Sequence, residues 1–255
     1  LVDEAAALPT ELLKRLLLNY GRIVFSTTVH GYEGTGQGFG IRFRAILNRH
    51  CPDWRALQMH TPVRWAPGDP LEALTFSSLM LSAEPDVLED HQEAEYPPLV
   101  VERISTRDLD NEALLSSLYG LLVSAHYRTT PTDLERLFDA PHLQVWIGRE
   151  HEKVVGTALI AQEGSFGPEL AAQINLGQRR PPGHLLPEAL AVHCGLESAP
   201  ALQAWRVVRI AAHPERRRQG VATEMLKGIE AMARSENVDY LGASFGATAP
   251  LVEFW

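Results

Sequence analysis

Apolar positions along the chain recur at two periods, and the alternation between them sets out the elements before any chemistry is considered. Leu1-Val2 reads as the tail of a strand. Leu12, Leu13, Leu16 and Leu17 then give a helical stripe over Glu11–Asn19, with Thr10 placed to cap it. Arg22–Thr28 is a strand of β-branched and aromatic residues, and Phe39–Leu47 a second helix. Farther on, Leu99–Ile104 reads as a strand, and Leu114, Leu115, Leu118, Leu121 and Leu122 mark a helix. A short helix over Asp133–Asp139 follows, capped by Thr132. Leu143–Arg149 and Val154–Gln162 form a hairpin-like pair turning at Glu150-His151-Glu152. After an insertion, Gly164–Pro200, the strand Arg206–Ala212 is closed by His213-Pro214. A helix with Val221, Ala222, Met225, Leu226, Ile229, Met232 and Ala233 on one face comes next, then the strand Tyr240–Phe245 and an opening helical turn at Phe254-Trp255.

The pattern breaks once on a large scale. Glu84, Asp86, Glu89, Asp90, Glu93 and Glu95 stand in a stretch without Lys or Arg that ends at Pro97-Pro98. This divides the chain into a module at 1–83, an acidic linker at 84–98 and a module at 99–255 that contains the insertion 164–200. Both ends read as cuts within a longer protein. There is no internal repeat, and no run approaches the roughly 18 apolar residues that span a bilayer. Two cysteines, Cys51 and Cys194, are too few for a disulfide framework, which fits a cytoplasmic protein. A net charge of −9 argues against a general nucleic-acid coat. Arginines nevertheless cluster at 42–64, at Arg179-Arg180 and at 206–218, either converging on one RNA surface or solvated on separate faces.

The last cluster carries chemistry. A strand, a basic loop ending on Gly220 and an immediate helix N-terminus form a natural phosphate site, because the unpaired helix amides and the positive dipole end face the loop. The spacing is neither that of a P-loop nor that of a dinucleotide fingerprint. Arg217-x-x-Gly220-x-Ala222 does match the [Q/R]-x-x-G-x-[G/A] pyrophosphate segment, so the second module resembles the GNAT acetyltransferases.

In the first module, Asp3-Glu4 lie at a strand end, where P-loop ATPases keep the acids for Mg²⁺ and the attacking water, although such pairs also arise incidentally. The segment His30–Gly38 has glycine at 31, 34, 36 and 38, as either a phosphate cradle or a flexible connection. Arg64 reads as a phosphate-sensing arginine or as a surface cation beside Trp65. Acids, helix, strand and Thr- and Gly-rich loop together resemble the second half of a RecA-like helicase core.

The segments VDEAA (2–6), TTVHGYEGTGQGF (27–39), PVRWA (62–66), SAHYRTTPTDLERLFDAP (124–141), RRPPGHLLPEALAVH (179–193), VVRIAAHPERRRQGVAT (207–223) and DYLGASFGAT (239–248) span nearly the whole chain. Jointly they resemble the bacterial tRNA(Met) cytidine acetyltransferases, a family that fuses a helicase-like ATPase module to a GNAT domain. The resemblance implies an α/β fold: part of a RecA-like P-loop ATPase module, then a GNAT acyl-CoA N-acyltransferase fold with a mixed central sheet and flanking helices. It implies N4-acetylation of the wobble cytidine in the anticodon loop of elongator tRNA(Met), with acetyl-CoA as donor and ATP or GTP with Mg²⁺ hydrolysed by the first module.

Position by position, Ile210, Ala211 and Ala212 match the strand whose backbone meets the acetyl and pantetheine groups. Arg217, Arg218, Gln219, Gly220, Val221, Ala222 and Thr223 match the pyrophosphate loop. Asp3 and Glu4 match the ATPase acids, with Mg²⁺ near Asp3, and Arg64 matches a nucleotide-contacting arginine. Three departures stand out: the chain has no phosphate-binding Lys-Ser/Thr loop, Ala222 replaces the last glycine, and Pro250 stands where the family has an acid near the cofactor.

Arg179 and Arg180 are candidates for tRNA backbone contact. His213, His126 and His193 are candidate general bases, each with a hydrogen-bonded structural role as the alternative, and water or a carboxylate as other bases. The histidines and cysteines show no ligand spacing, so no protein-held metal is expected, and no membrane or protein partner is implied. Two rival readings remain: a GNAT enzyme acting on a protein or small-molecule amine, and an RNA-dependent ATPase whose GNAT domain senses acyl-CoA.

Overall fold

The computed structural model describes residues 1–28, 36–88, 96–125 and 131–255, with side chains described outside 36–42 and 131. By proximity of its Cα atoms the chain divides into two units, Leu1–Pro85 with Leu115–Arg136, and Asp86–Leu114 with Leu137–Trp255.

In the first unit, helices α1 (Thr10–Asn19), α2 (Gly36–His50) and α3 (Pro70–Ser78) accompany a short paired segment. Val2 bridges Phe25 in parallel, with Val2 N–H donating to Val24 C=O (2.8 Å) and Ser26 N–H to Val2 C=O (2.8 Å). The expected strand over 22–28 is reduced to that bridge among the described residues. Helix α1 starts one residue earlier than expected, because Pro9 is its N-cap and no side chain caps it. Leu13 and Leu17, four residues apart, are its buried pair, whereas Leu12 is 41% exposed. Leu13 packs with Ala5 and Phe43, and Phe25 meets Phe43 edge-on at 4.8 Å. Helix α3 lies outside the elements that the periodicity predicts. Pro70 occupies its first turn, and the Asp69 carboxylate accepts the Leu71 N–H at 2.8 Å.

Helix α4 (Glu112–Ala125) buries Leu114, Leu115, Leu118, Leu121 and Leu122, as its spacing predicts, and α5 (Pro131–Asp139) follows. Gly120 of α4 lies against the backbone of Glu84, where a Cβ would collide.

The second unit is built on a five-stranded sheet in the order β1 (Val100–Ile104), β2 (Leu143–Glu150), β3 (Lys153–Gly164), β4 (Gln203–Ala212), β5 (Tyr240–Ala243). Neighbours are antiparallel except β4 and β5, which run parallel. Helices α6 (Pro168–Asn175) and α7 (Leu185–Cys194) fill the insertion, α8 (Val221–Ser235) links β4 to β5, and α9 (Ala249–Phe254) follows β5. A crossover helix between parallel strands is the connection such a pair requires.

One face of α8 closes the core. Met225, Ile229 and Ala233 pack on Trp146, Ala158, Ile160, Trp205 and Val207. Gly156 lets this helix approach β3, since a Cβ there would strike Met225 Sδ and come 3.1 Å from Val221 Cγ1. The predicted boundaries of β1 to β5 and α8 lie within a few residues of those observed, whereas α9 ends at Phe254, where the sequence predicts a helix to open, and α6 and α7 lie in an insertion for which the periodicity predicts no helix. Among the described residues, no helix is long and apolar enough to cross a membrane.

Candidate functional site

Strand β4 changes partners along its length. Ala204, Trp205, Arg206 and Val207 pair with Tyr240 through Ala243, but β5 pairing ends at Val207↔Ala243. Beyond it, among the described residues, Arg209, Ile210, Ala211 and Ala212 pair along the sheet with β3 alone. Register slips where this happens: Leu159 faces Arg209 and Ile160 faces Val207, so Val208 is an extra residue. A strand directs backbone groups alternately to its two sides, and past Val207 the side of β4 that met β5 no longer pairs with it. Ile210, Ala211 and Ala212, the predicted acetyl and pantetheine segment, line this parting.

The chain then turns through a 3-10 turn, Pro214–Arg216, into the loop Arg217–Gly220 and helix α8. Gly220 is the N-cap at φ 85°, and a Cβ there would meet nothing within 4 Å. Arg218 also has positive φ, 64°, a conformation that costs a non-glycine residue on the order of 1–3 kcal/mol. No side chain caps the helix, so its first amides and dipole end face outward. Arg217, Arg218, Gln219, Gly220 and Thr223 are exposed, whereas Val221 is buried and Ala222 half-buried. Apart from Val221, which anchors the helix, and half-buried Ala222, the predicted loop is exposed. The residues fit an anionic diphosphate: backbone N–H groups, a glycine without steric cover and two arginines.

Two buried residues root this loop. His213 is 4% exposed; its Nδ1 accepts the Glu215 N–H (3.3 Å), which leaves Nε2 protonated to donate to the Asp86 carbonyl at 2.8 Å. Both ring nitrogens are therefore engaged, the arrangement expected of the hydrogen-bonded structural alternative. The Asp86 carboxylate accepts the Val154 N–H at 2.9 Å. Arg216 places Nε 3.0 Å from Glu150 Oε2 and its guanidinium carbon 4.0 Å above the Tyr96 ring.

Of the other candidate bases, His193 is exposed in the last turn of α7, and His126 lies outside the described residues. Pro250 is exposed in the first turn of α9. Asp3 and Glu4 are exposed immediately after the Val2 bridge, with Glu4 in the left-handed region at φ 48°. Arg64 is exposed in the segment between α2 and α3. The predicted Gly-rich loop falls mostly on residues 29–35, outside the described residues.

The insertion is tied to the sheet by a buried carboxylate. Glu163 Oε1 accepts Arg206 Nε–H (2.5 Å), and Oε2 accepts the Leu186 N–H at the start of α7 (2.8 Å). Beside it, His184 Nδ1 accepts the Gly164 N–H at 2.9 Å. Burial holds the His184 imidazole below its usual pKa; Glu163 opposes this and His142 adds to it. Tyr240, whose hydroxyl donates to the Ala199 carbonyl at 3.2 Å, is pushed up to about 12 by burial and by Glu163 and Asp239. Arg179 and Arg180 are exposed on the far loop of this insertion, and Arg180 pairs with Glu188 at 3.1 Å.

Arg216, Glu150, Tyr96, Asp86 and Glu163 carry this architecture, yet no motif or period marks them. Asp86 reads only as one of the linker acids, Tyr96 as an aromatic before two prolines, and the others as charges near a strand end, which is equally the mark of surface residues.

Two family models match the chain: the helicase domain of RNA cytidine acetyltransferase NAT10/TcmA over residues 1–82, and GNAT acetyltransferase 2 over residues 117–234. The chain is 49% identical, over its whole length, to the tRNA(Met) cytidine acetyltransferase TmcA of Nitrosococcus halophilus (strain Nc4), covering 34% of that protein. It is 42% identical to the protein of that name from Yersinia pestis (strain D106004), covering 36% of it. The corresponding figures for the Haloarcula marismortui protein of that name are 40% and 33%. The chain thus spans about a third of the length of the curated relatives it matches. Among solved structures, a ribosomal-protein-alanine N-acetyltransferase from Brucella melitensis biovar Abortus 2308 superposes on 62% of this chain and 88% of its own, with TM-score 0.40 and 14% identity. A helicase-domain match of the NAT10/TcmA kind, followed by a GNAT acetyltransferase match on a mixed α/β sheet, makes the chain similar along its whole length to the proteins named tRNA(Met) cytidine acetyltransferase TmcA.

Proposed function

We propose that the protein containing this chain transfers the acetyl group of acetyl-CoA to N4 of a tRNA cytidine in the cytoplasm. The acceptor is the wobble base in the anticodon loop of elongator tRNA(Met). The observation that carries this reading is the parting of β4 from β5 after Val207↔Ala243, directly upstream of a glycine-capped helix N-terminus. The pantetheine arm of acetyl-CoA is a chain of amides that needs strand-like partners, and its diphosphate needs an anion site one loop away. Strand β4 and the Arg217–Thr223 loop offer both in that order.

In the reaction the N4 lone pair attacks the thioester carbonyl. The tetrahedral intermediate collapses with cleavage of the C–S bond, and the proton lost from N4 balances the thiolate released as CoA. A backbone N–H of Ile210–Ala212 facing the gap is the donor for the developing oxyanion, a contact worth about 10²–10³ in rate where it has been removed elsewhere. Cytosine N4 is weakly nucleophilic because its lone pair is delocalised into the ring, so holding the base against the thioester supplies much of the acceleration. A wobble base lies in a single-stranded loop and can be splayed out without opening a duplex.

Acetyl transfer itself requires no nucleoside triphosphate. ATP or GTP with Mg²⁺ belongs to the helicase-like module, where Asp3 and Glu4 are the acids near the metal and Arg64 a nucleotide contact. Its hydrolysis remodels or positions the tRNA. Arg179 and Arg180 on the insertion contact the tRNA backbone.

The test is to incubate the full-length protein with acetyl-CoA, ATP and bulk tRNA and to analyse the nucleoside digest by mass spectrometry. N4-acetylcytidine confined to elongator tRNA(Met) is the expected product. Acetylation of an amine acceptor with none of tRNA, or RNA-stimulated nucleotide hydrolysis with no transfer, overturns the assignment.

A further inference from the structure

Three consecutive arginines, 216 to 218, precede the helix N-terminus, and the structure separates them. Arg217 and Arg218 are exposed, but Arg216 is 6% exposed and its partner Glu150, the last residue of β2, 7%. Two contacts hold the Arg216 guanidinium. The Glu150 carboxylate accepts from Nε at 3.0 Å, and the guanidinium carbon lies over the Tyr96 ring, 4.0 Å from its centroid. An acceptor on one nitrogen and a ring beneath the carbon together restrict the guanidinium's position.

Desolvation of such a pair largely cancels its attraction, so the pair contributes little net stability relative to apolar residues of the same size. What it does fix is where the chain leaves the sheet. The exposed loop 217–220 runs between two buried residues, Arg216 upstream and Val221 downstream, the latter packed over Gly156. Within those four residues φ is positive at Arg218 and at Gly220, 64° and 85°. A non-glycine residue keeps that conformation only where its surroundings over-determine it, and here the fixed ends of the loop act with Gln219, whose N–H meets the Arg216 carbonyl at 3.4 Å and whose Nε2 donates to the Glu215 carbonyl at 3.2 Å.

We propose that Arg216, held between Glu150 and Tyr96, is a positioning residue that presets the pyrophosphate loop, so that CoA binds without first ordering it. The proposal rests on the acetyl-CoA reading of the site. Preorganisation of this kind acts on affinity for the diphosphate and leaves the pantetheine arm on β4 untouched.

The test uses full-length protein and two variants: the double substitution Arg216→Met with Glu150→Met, which leaves no unpaired buried charge, and Tyr96→Leu, which keeps the ion pair. CoA binding is measured by calorimetry, and kcat/KM with acetyl-pantetheine, a donor lacking the diphosphate, is measured alongside. The double variant is expected to melt close to the wild type while its Kd for CoA rises about tenfold or more; Tyr96→Leu is expected to raise it severalfold. Acetyl-pantetheine should be used equally well by all three proteins. A folded double variant with CoA affinity within about twofold of wild type overturns the proposal, as does a parallel loss with acetyl-pantetheine. If the double variant does not fold, Tyr96→Leu decides, and unchanged CoA affinity there sinks the idea. Wild-type protein that does not bind CoA overturns instead the acetyl-CoA reading beneath it.

Discussion

His184 shows how much one side chain can depend on its charge state. Its Nδ1 accepts the Gly164 N–H only while that nitrogen is unprotonated, and burial keeps the ring's pKa below the ordinary histidine value. Glu163 opposes that shift and His142, with its ring centroid 6.3 Å away, reinforces it. The folded pKa is therefore lower than the unfolded one, so below about pH 6.5 the unfolded chain takes up the proton first. The stabilising contribution is complete above that pH and diminishes as pH falls through the folded value. The protection of α7 amides, with the pH dependence of intrinsic exchange divided out, should fall as pH drops below about 6.5, and His184→Gln, which keeps an acceptor without a titration, should flatten that fall. An unchanged pH dependence in the variant would locate the titration elsewhere. Nothing in the run Pro181-Pro182-Gly183-His184 marks this role, because a histidine after a turn looks the same in sequence whether it faces water or a strand end.

At the scale of elements, the strand-loop-helix unit is readable because each part obeys a period or a steric rule. Val207 through Ala212 is β-branched and small apolar except for Arg209, α8 repeats at helical spacing, and Gly220 sits at an N-cap that needs positive φ. Helix α3 escapes a search by period although Asp69 and Pro70 announce it, because Leu71 and Leu74 are 67% and 60% exposed and leave no apolar stripe to find. Arg216 is indistinguishable from its two neighbours in sequence, since a loop has no period to say which side chain turns inward. The same limit hides Glu150, which reads as a hairpin turn and is the buried end of β2. How closely α8 approaches the sheet is set by Gly156, beneath Val221 and Met225. Gly156→Ala should cost about 1–3 kcal/mol by overpacking a filled site. It should also weaken CoA binding, because the first turn of α8 must lift away from β3. Thermal melts and CoA titration check both, and a variant that is destabilised yet binds CoA as before would show that the helix N-terminus keeps its place independently of this contact.

The molecule as a whole carries a net charge of −9, so any polyanion it binds must be met by local positive charge. In the second unit we propose Arg179 and Arg180 of the insertion as its source. Arg179 and Arg180 stand exposed between α6 and α7, and Glu163 fixes the start of α7 to the sheet through the Leu186 N–H. Neither arginine is needed to hold the fold. The Arg180–Glu188 pair leaves Arg180 67% exposed, and pairs of that kind contribute about 0–1 kcal/mol. Charge reversal, Arg179→Glu with Arg180→Glu, should therefore leave melting and CoA affinity close to wild type. Binding of elongator tRNA(Met) should weaken. Each phosphate that the protein no longer neutralises lowers the slope of log affinity against log salt by about 0.7–0.9, so the double reversal should reduce that slope by about 1.4–1.8. Filter binding across a salt series measures both quantities. An unchanged affinity and slope would place the RNA surface away from this loop, whereas a weakened affinity with an unchanged slope would mean that the reversal disturbed the insertion's packing rather than its hold on a phosphate.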